Sequence, residues 1–408
     1  MKICLVSSQH VSYNPRLVKE ADALVEAGYS VRVVAICRLS WMDREDRKLL
    51  KGRSWRLETV NYDPSRRVGL QLWLLSGIRQ RTAQWVVSVL GSRMGIAERA
   101  LGRVYPELRR LAARERADLF LAHNLAALPA ASWAAERNGA KLGFDMEDLH
   151  SEELLDLPEH ADERALVASL EKWYLPRCVY LTAASPGIAD EVARRYAVPR
   201  PHVILNAFSP SSLTFSRAGE RGPLSLFWYS QVIGPGRGLE DAIAAAARLG
   251  DKVEIHLQGR EYPGYREKLL GLAEAHGIPA ALHFHQPSSP DDIVAKAARH
   301  DVGLALERRE PLNRDLCVVN KIFIYMSAGL AIAASDTRGQ RAILETVPEA
   351  GFLYTPGDVE GLVRGLERFV ISPSALDRAR RASRRAAAER YSWDIEKLTL
   401  FEAIRRRI

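Results

Sequence analysis

Short strands that are apolar throughout alternate with amphipathic helices along nearly the whole chain, and this alternation restricts the possible folds more than any other feature. In the first half, KICLVSS is followed by a helix, PRLVKEADALVEAGY, and then by a second strand, SVRVVAIC. The helix has Pro15 near its start and Gly28 at its end, the favoured places for both residues. Strands without a polar face are buried on both sides, so they indicate a parallel sheet covered by helices on each face.

The second half repeats this pattern, with PLSLFWYS, KVEIHLQG, ALHFHQ, DVGLALE, LAIAAS and GFLYT as strands. A segment rich in Ser, Pro and Gly separates the halves. We predict an N-terminal Rossmann-like domain over 1–205, a linker over 206–224, a C-terminal Rossmann-like domain over 225–390 and a last helix over 391–408. The pattern supports an α/β protein with two doubly wound domains that face each other across a cleft. Ligands of such sheets bind where the carboxyl ends of strands lead into helices.

Composition narrows the class of protein. Apolar residues form 47% of the 408-residue chain, enough for a large core. The four cysteines lie far apart and neither pair as CxxC nor combine with histidine at zinc spacing, so no metal site is predicted. So few cysteines favour reduced thiols and a cytoplasmic location. The N-terminus resembles a buried strand more than a signal peptide, and no stretch reaches the roughly 18 apolar residues of a membrane span.

The positive charge is concentrated in one segment. Residues 66–116 hold eleven arginines, no lysine and three glutamates, which accounts for the whole net charge of +8. Arginines interleaved with Leu, Trp73 and Trp85 at helical spacing suit a surface that meets anionic lipid headgroups. The alternative is a pair of core helices whose polar faces are basic. No nucleic-acid-binding motif accompanies the charge, so a nucleic-acid partner is not predicted.

The segment WYSQVIGPGRGLE places Arg237 in a glycine-rich turn between a strand and a helix that starts at Gly238 or Leu239. A helix N-terminus offers unpaired N–H groups and partial positive charge, and glycines let the backbone approach an anion closely. Arg237 adds a planar donor fork. The turn therefore predicts a phosphate-binding site that includes Gly234, Gly236 and Gly238. The alternative is a tight structural turn with a solvated arginine.

A second cation is predicted from VVNKIFIYMSAGL. Here Asn320 is expected at a helix N-cap, with Lys321 in the first turn. A lysine at this end opposes the helix dipole, which favours an anion between Lys321 and the helix end. The alternative is an exposed lysine lying over the first turn.

At this point nearly all of the chain resembles the GT-B glycosyltransferases, and among them the large family 4 of retaining, nucleotide-sugar-dependent enzymes. YNPRLVKEADALVEAGYSVRVV resembles the first helix and second strand of that family, and GPGRGLEDAIAAAARL resembles its donor loop. VVNKIFIYMSAGLAIAAS resembles its donor-domain helix, and ERYSWDIEKL resembles the segment where the last helix crosses back to the first domain.

The resemblance implies a nucleotide-sugar donor in the C-terminal domain and a glycan or lipid-linked acceptor in the N-terminal domain. Arg237 and Lys321 would contact the donor diphosphate, with Gly236 and Gly238 giving access. Two cations and a helix end would stabilise the leaving diphosphate, so no metal or other cofactor is expected. Retention without a covalent intermediate is likewise implied by the family alone.

Several positions depart from the family pattern. Gln231 stands where an arginine often opens the donor loop, and Ile324 stands where a glutamate usually holds the nucleotide ribose. Glu310 or Glu307 are the candidate replacements for that glutamate. The N-terminal loop SSQHVSYNPR lacks the usual glycine pair.

Several polar residues of the first half are expected either to line the cleft or to have structural roles. In SSQHVSYNPR, Asn14 and Arg16 could reach the cleft, or Asn14 could simply cap the helix. Carboxylates in GFDMEDLHSEE end a strand, which is costly unless they bind something. Glu147 stands where relatives have a histidine and is predicted to bind sugar or acceptor hydroxyls, with His150 replacing the missing imidazole. The alternative is a helix-capping cluster. The residues predicted in this region to be near the ligand are Asp145, Glu147, Asp148, His150, His123, Asn124 and Ser185.

Three functions follow, of which the last, a related GT-B enzyme such as a nucleotide-sugar epimerase, fits least well because ERYSWDIEKL resembles the closing segment of family 4. The first is a retaining glycosyltransferase of glycan or glycoconjugate synthesis. The second, favoured by Ile324 and Gln231, is a GT-B-shaped binding protein without catalysis.

Overall fold

The computed structural model describes residues 1–208, 222–288 and 292–407. They form two compact units. The first comprises Met1–Ile204 with Lys397–Ile408, and the second comprises Leu205–Glu396. Most of the predicted linker, at 209–221, lies outside the described residues.

Unit 1 contains seven strands and eight helices among its described residues, together with most of the last helix. The strands are β1 (Lys2–Ser7), β2 (Ser30–Cys37), β3 (Arg56–Asn61), β4 (Leu119–His123), β5 (Lys141–Met146), β6 (Tyr180–Ala183) and β7 (His202–Val203). The helices are α1 (Pro15–Glu26), α2 (Ser40–Leu49), α3 (Arg67–Leu90), α4 (Ala97–Leu101), α5 (Tyr105–Ala112), α6 (Leu128–Asn138), α7 (Ala161–Tyr174) and α8 (Pro186–Tyr196).

The sheet of unit 1 is parallel, in the order β3-β2-β1-β4-β5-β6-β7. Strands β1, β2 and β4 are almost wholly buried, as their continuous apolar runs require. The strand order reverses between β1 and β4, so the carboxyl ends of these strands open a crevice where ligands of such sheets bind.

Unit 2 contains six strands and eight helices among its described residues. The strands are β8 (Leu224–Ile233), β9 (Val253–Glu261), β10 (Leu282–His285), β11 (Val302–Ala305), β12 (Ala331–Ser335) and β13 (Gly351–Tyr354). The helices are α9 (Leu239–Leu249), α10 (Tyr265–Ala275), α11 (Ile293–Ala297), α12 (Leu312–Leu316), α13 (Asn320–Ala328), α14 (Arg338–Leu344), α15 (Val359–Ile371) and α16 (Pro373–Glu389). The last helix, α17, spans Trp393–Arg407.

The sheet of unit 2 is also parallel, in the order β10-β9-β8-β11-β12-β13, with its order reversing between β8 and β11. The two sheets confirm the predicted α/β class with two Rossmann-like domains. Strand β8 is longer than predicted. It continues past Ser230 with an irregular register between Tyr229 and Val232, so Gln231 lies in the strand and not in the turn. Within the described residues, none of the helices has the length and apolarity that a membrane crossing requires.

Candidate functional site

The carboxyl ends of β8 and β11 bring three cations of unit 2 around one carboxylate. Glu307 follows β11 and is 2% exposed. Its Oε1 lies 2.6 Å from the Nζ of Lys321, and its Oε2 lies 3.5 Å from an Nη of Arg237. Arg314 approaches from α12 and donates to the backbone oxygen of Gly236 at 2.8 Å. The structure therefore brings Arg237 and Lys321 together, as the sequence predicted.

The glycines of this turn are required by its geometry. Gly236 and Gly238 both have left-handed φ values, of 72° and 69°. A Cβ on Gly238 would lie 2.6 Å from the backbone oxygen of Leu306, so a side chain there has no room. Gly238 is the N-cap of α9, which begins at Leu239. The unpaired N–H groups of that helix therefore start directly after Arg237.

The charges around Glu307 are unbalanced. Burial opposes its ionisation, but Lys321 and Arg237 outweigh burial and hold the pKa of Glu307 below its usual value. One carboxylate thus faces three cations. Burial and the charge of Arg237 lower the pKa of Arg314. An excess of positive charge beside a helix N-terminus is suited to a phosphate or diphosphate group.

The structure places Lys321 differently from both sequence interpretations. Helix α13 begins at Asn320, and its N-cap is Val319, so the prediction of Asn320 as N-cap is wrong by one residue. Lys321 is buried, and Glu307 balances its charge at the positive end of the helix. The buried lysine is therefore explained by an internal carboxylate before any ligand binds.

The remaining donor-side residues are spread over different environments. Gly234 is buried, whereas Asn320 and Glu310 are exposed. Ile324 is 2% exposed in the core. Glu307 and Glu310 are the two predicted replacements for the ribose-binding glutamate. Both oxygens of Glu307 face cations, whereas the side chain of Glu310 is exposed, so Glu310 is the candidate that we retain.

In unit 1, a buried ion pair joins α1 to β5. Arg16 donates from Nε and Nη2 to both oxygens of Asp145, at 2.6 and 2.7 Å, and from Nη1 to the backbone oxygen of Ile204 at 2.7 Å. Thr182 donates to Asp145 at 2.5 Å. Burial opposes ionisation of Asp145, but Arg16 outweighs it and holds the pKa of that carboxyl well below its usual value. These contacts give Arg16 and Asp145 partners inside unit 1.

His123 and Asn14 also have internal partners. The Nε2 of His123 lies 2.8 Å from an oxygen of Glu20, and Glu20 raises the pKa of His123 although burial alone would lower it. The side chain of Asn14 accepts from the N–H of Leu17 at 2.9 Å, which is the capping role weighed against a ligand contact. Ser185 likewise caps α8 by accepting from Ile188 at 3.1 Å.

Asn124 lies at the crevice between β1 and β4 in a strained backbone conformation. Its φ of 71° and ψ of 140° fall in a region that side chains rarely adopt. Ser7 donates to its Oδ1 at 3.2 Å. Strain of this kind concentrates at functional sites, because it persists only where the surrounding structure enforces it.

A cavity of about 320 Å³ lies beside Asn124 in unit 1. Asp148 and His150 are in its lining, with the apolar side chains of Leu125 and Val167. Its mixed lining and its volume suit a sugar-sized ligand.

Two ionisable groups near this cavity have altered pKa values. Burial and, to a lesser extent, the neighbouring Asp148 together raise the pKa of Glu147 to about 7. Burial opposes the charged form of His150, but its hydrogen bond to Glu153 outweighs this and raises its pKa to about 9. The Nε2 of His150 is buried and makes no hydrogen bond within the described residues. Shifted pKa values beside a cavity are typical of a functional site.

The alternative of a helix-capping cluster named Asp148 or Ser151 as the N-cap. The structure differs, because the short 3₁₀ turn after the cluster, His150–Glu152, has Leu149 as its N-cap, with no side-chain capping hydrogen bond. Sequence reasoning also missed Arg314 and Glu153, which contact predicted residues. The sequence feature that could have identified them is their position, because each lies in the segment that follows the carboxyl end of a strand, β11 for Arg314 and β5 for Glu153.

Profiles of two known domains match the sequence. "Glycosyl transferase 4-like domain" matches residues 13–207, and "Glycosyl transferases group 1" matches residues 215–388, so together they account for most of the chain. No curated protein sequence is a significant match.

Solved structures share the fold at low identity. HepE of Anabaena in complex with UDP is 17% identical, with a TM-score of 0.71 and 100% of both chains covered. Sucrose-phosphate synthase of Thermosynechococcus elongatus is 15% identical, with a TM-score of 0.70 over 100% of this chain and 98% of that one. A glycosyltransferase of Rickettsia africae is 12% identical, with a TM-score of 0.67 over 99% and 98%.

Proposed function

The chain belongs to the GT-B glycosyltransferases, and from this premise we propose that it transfers a sugar from a nucleoside-diphosphate sugar to a glycan or lipid-linked acceptor. The observation that supports the donor class best is the set of three cations around Glu307 at the N-terminus of α9. HepE, which shares the fold, has been crystallised with UDP and with UDP-glucose. In the proposed reaction Arg237 and Lys321 bind the diphosphate and stabilise the charge that it gains on leaving.

We assign the acceptor to unit 1. The cavity beside Asn124 and His150 offers carboxylate, amide and imidazole groups to sugar hydroxyls. Glu147, when ionised, accepts a hydrogen bond from an acceptor hydroxyl next to the nucleophile and so orients the acceptor. The attacking hydroxyl forms the bond to the anomeric carbon as the bond from that carbon to the diphosphate oxygen breaks, and it gives its proton to the leaving diphosphate. Retention of configuration follows from this arrangement only by analogy with the family, and the anomer of the product, read by NMR, tests it.

The proposed reaction needs no metal, because arginine, lysine and a helix end supply the positive charge that a metal would supply. The direct test is release of free nucleotide from UDP-, GDP-, ADP- and dTDP-sugars, measured with and without EDTA. Release from one donor class that survives EDTA supports the proposal. Failure of every donor, with extracted lipids and glycans as acceptors, would favour the non-catalytic alternative.

The pKa of Glu147 gives a pH prediction. The ionised form is the hydrogen-bond acceptor, so kcat/KM is expected to rise with pH through an inflection near 7. Glu147→Gln should remove this inflection and lower the upper plateau by roughly 10². Glu159→Gln, at an exposed position, is the control. An unchanged inflection in Glu147→Gln would assign the titration to another group.

We further propose that the enzyme acts at the cytoplasmic face of a membrane, held there by α3. All four cysteines are free, as suits a reducing compartment. The apolar face of α3 is defined by six side chains that are 51–82% exposed: Val68, Leu74, Leu75, Ile78, Trp85 and Val89. A single helix that presents so much apolar surface beside exposed Arg67, Arg81 and Arg93 is suited to the boundary between headgroups and acyl chains.

Some residues of the basic segment 66–116 have partners within the protein and are therefore less available to lipid. Arg79 is bound to both oxygens of Glu107, at 3.0 and 2.7 Å. Arg103 covers the ring of Trp73 at 4.8 Å, whereas Trp85 is 65% exposed. The prediction that both tryptophans face lipid is therefore narrowed to Trp85.

Two variants separate the apolar and the charge contributions of this surface. Arg67, Arg81 and Arg93 together changed to Gln should weaken binding to anionic vesicles by about a hundredfold, at roughly 1 kcal/mol per cation. Leu75, Ile78 and Trp85 together changed to Ser should abolish binding to neutral and anionic vesicles alike. Vesicle sedimentation measures both effects. Ile371→Ser, at a residue 73% exposed in unit 2, is the control. Equal sedimentation of all variants would contradict this surface, and a concentration-dependent dimer lost in the Ser variant would assign it to a second copy of the chain.

A further inference from the structure

A cluster of histidines lies on the edge of the sheet of unit 2. In β9, Glu254 and His256 project from the same face, because side chains two residues apart share a face of a strand. His283 of the edge strand β10 is the direct register partner of His256. His285 follows on the same face, and the rings of His256 and His283 stack with 4.6 Å between centroids.

Three of these side chains bring possible ligand atoms close together. An oxygen of Glu254 lies 3.2 Å from the Nε2 of His256, and its other oxygen lies 3.7 Å from the Nε2 of His283. All three ligand atoms lie within 4.8 Å of one another. Ligands about 2.0–2.2 Å from a tetrahedral zinc ion are about 3.3–3.6 Å apart. The three side chains therefore have the spacing of a zinc-binding set with little adjustment.

The other nitrogen of His256 also has the partner expected of a metal ligand. Its Nδ1 lies 2.9 Å from the Nε2 of His285. A metal-bound histidine usually has its second ring nitrogen fixed by such a contact, which sets the tautomer. The Nε2 of His256 is buried and makes no hydrogen bond within the described residues, although Glu254 is close.

A second group of similar composition, in unit 1, does not fit a metal. Glu20, His123 and Asp145 are buried together. Arg16 already binds both oxygens of Asp145 there and supplies the positive charge.

We propose that Glu254, His256 and His283 bind a divalent transition metal of the zinc class, with His285 orienting His256. His283 is 40% exposed, so water reaches the fourth coordination position. Glu254 and His256 lie in the first half of β9, whereas Arg237 follows the carboxyl end of β8. The ion is therefore structural, joining the four-residue edge strand β10 to β9, and takes no part in sugar transfer. This inference rests on the sheet of unit 2 and not on the proposed function.

The test is calorimetric titration of Zn²⁺ into the full chain after EDTA treatment and desalting. We expect one ion per chain, with affinity at least tenfold lower in Glu254→Gln and in His283→Gln. Glu254 and His283 are 22% and 40% exposed, and circular dichroism checks that the variants fold. His276→Gln, at an exposed histidine after α10, is the matched control and should bind like the wild type.

A second readout separates this site from weak surface binding. Zn²⁺ at a hundredfold excess over Kd should raise the Tm of the wild type by roughly 5–10 °C, and the shift should be lost in His283→Gln. X-ray absorption of the zinc-loaded chain should show nitrogen and oxygen ligands near 2.0 Å. Absence of zinc binding in the wild type, or equal affinity in the wild type and both ligand variants, would overturn the proposal. Sugar transfer with EDTA present is unaffected in either case, so failure of this site and failure of the proposed function are distinguishable.

Discussion

Arg237→Ala is expected to lower the rate of sugar transfer by about 10²–10³, the usual effect of removing one donor to a developing negative charge. Arg237 is 35% exposed, and its contact with Glu307 is long, at 3.5 Å. Its loss should therefore leave unit 2 folded, because Lys321 still pairs with Glu307 at 2.6 Å. Steady-state kinetics with the donor identified by nucleotide release measures the effect, and an unchanged Tm confirms folding.

The control for Arg237 is Arg309→Ala, which removes a more exposed arginine paired with Asp336. It should keep a near wild-type rate. Lys321→Met tests the second cation but leaves Glu307 buried without its closest partner, so it should lose both stability and activity. A wild-type rate in Arg237→Ala would remove this residue from the mechanism.

Arg16→Met is expected to destabilise unit 1 by about 3–5 kcal/mol, because it leaves the buried carboxylate of Asp145 without its cation. Arg16 and Asp145 are 3% and 2% exposed and joined by two hydrogen bonds. Arg16→Met with Asp145→Leu should recover part of the loss, since no charge then remains buried without a partner. Urea unfolding followed by circular dichroism measures the free energy of unfolding.

The same pair predicts how stability responds to acid. The pKa of Asp145 is lower in the folded than in the unfolded chain. Its stabilising contribution is therefore fully present above its ordinary pKa near 4 and is lost as pH falls toward the lowered folded value. Arg16→Met should remove this part of the acid dependence. Arg200→Met, which breaks an exposed pair with Asp190, should cost less than about 1 kcal/mol. Equal losses in the two variants would contradict the role of the buried pair.

The fold was predictable because the strands of both halves consist almost entirely of apolar residues, and that composition alone indicates that they are buried. Strands such as β2 and β12 have no polar face, so only a sheet covered on both sides can bury them. Gly236, Arg237 and Gly238 were also predictable, because their chemistry is local to one turn.

The partners of the charged residues were not predictable, since they come from distant segments. Arg16 and Asp145 are 129 positions apart, and Glu307 and Lys321 are 14 apart. From the sequence, Arg16 and Lys321 were expected to contact either a ligand or solvent. In the structure, each of them pairs with a buried carboxylate. The histidines of β9 and β10 formed no sequence motif either, because strand pairing alone brings them together.

Ile324 lies in the core and has no group that could hydrogen-bond a ribose. In the proposed donor complex, affinity therefore depends on the diphosphate, which the cations around Glu307 would bind, on the base, and on Glu310 as the proposed ribose contact. This makes nucleotide affinity the property that separates an active enzyme from a GT-B-shaped binding protein.

The most direct measurement is calorimetric titration of UDP, GDP, ADP and dTDP, without metal, into the wild type and Arg237→Ala. The three cations predict that one of these nucleotides binds the wild type and binds Arg237→Ala at least tenfold more weakly. Absence of binding by all four, or equal affinity in the two proteins, would contradict a donor diphosphate site at Arg237.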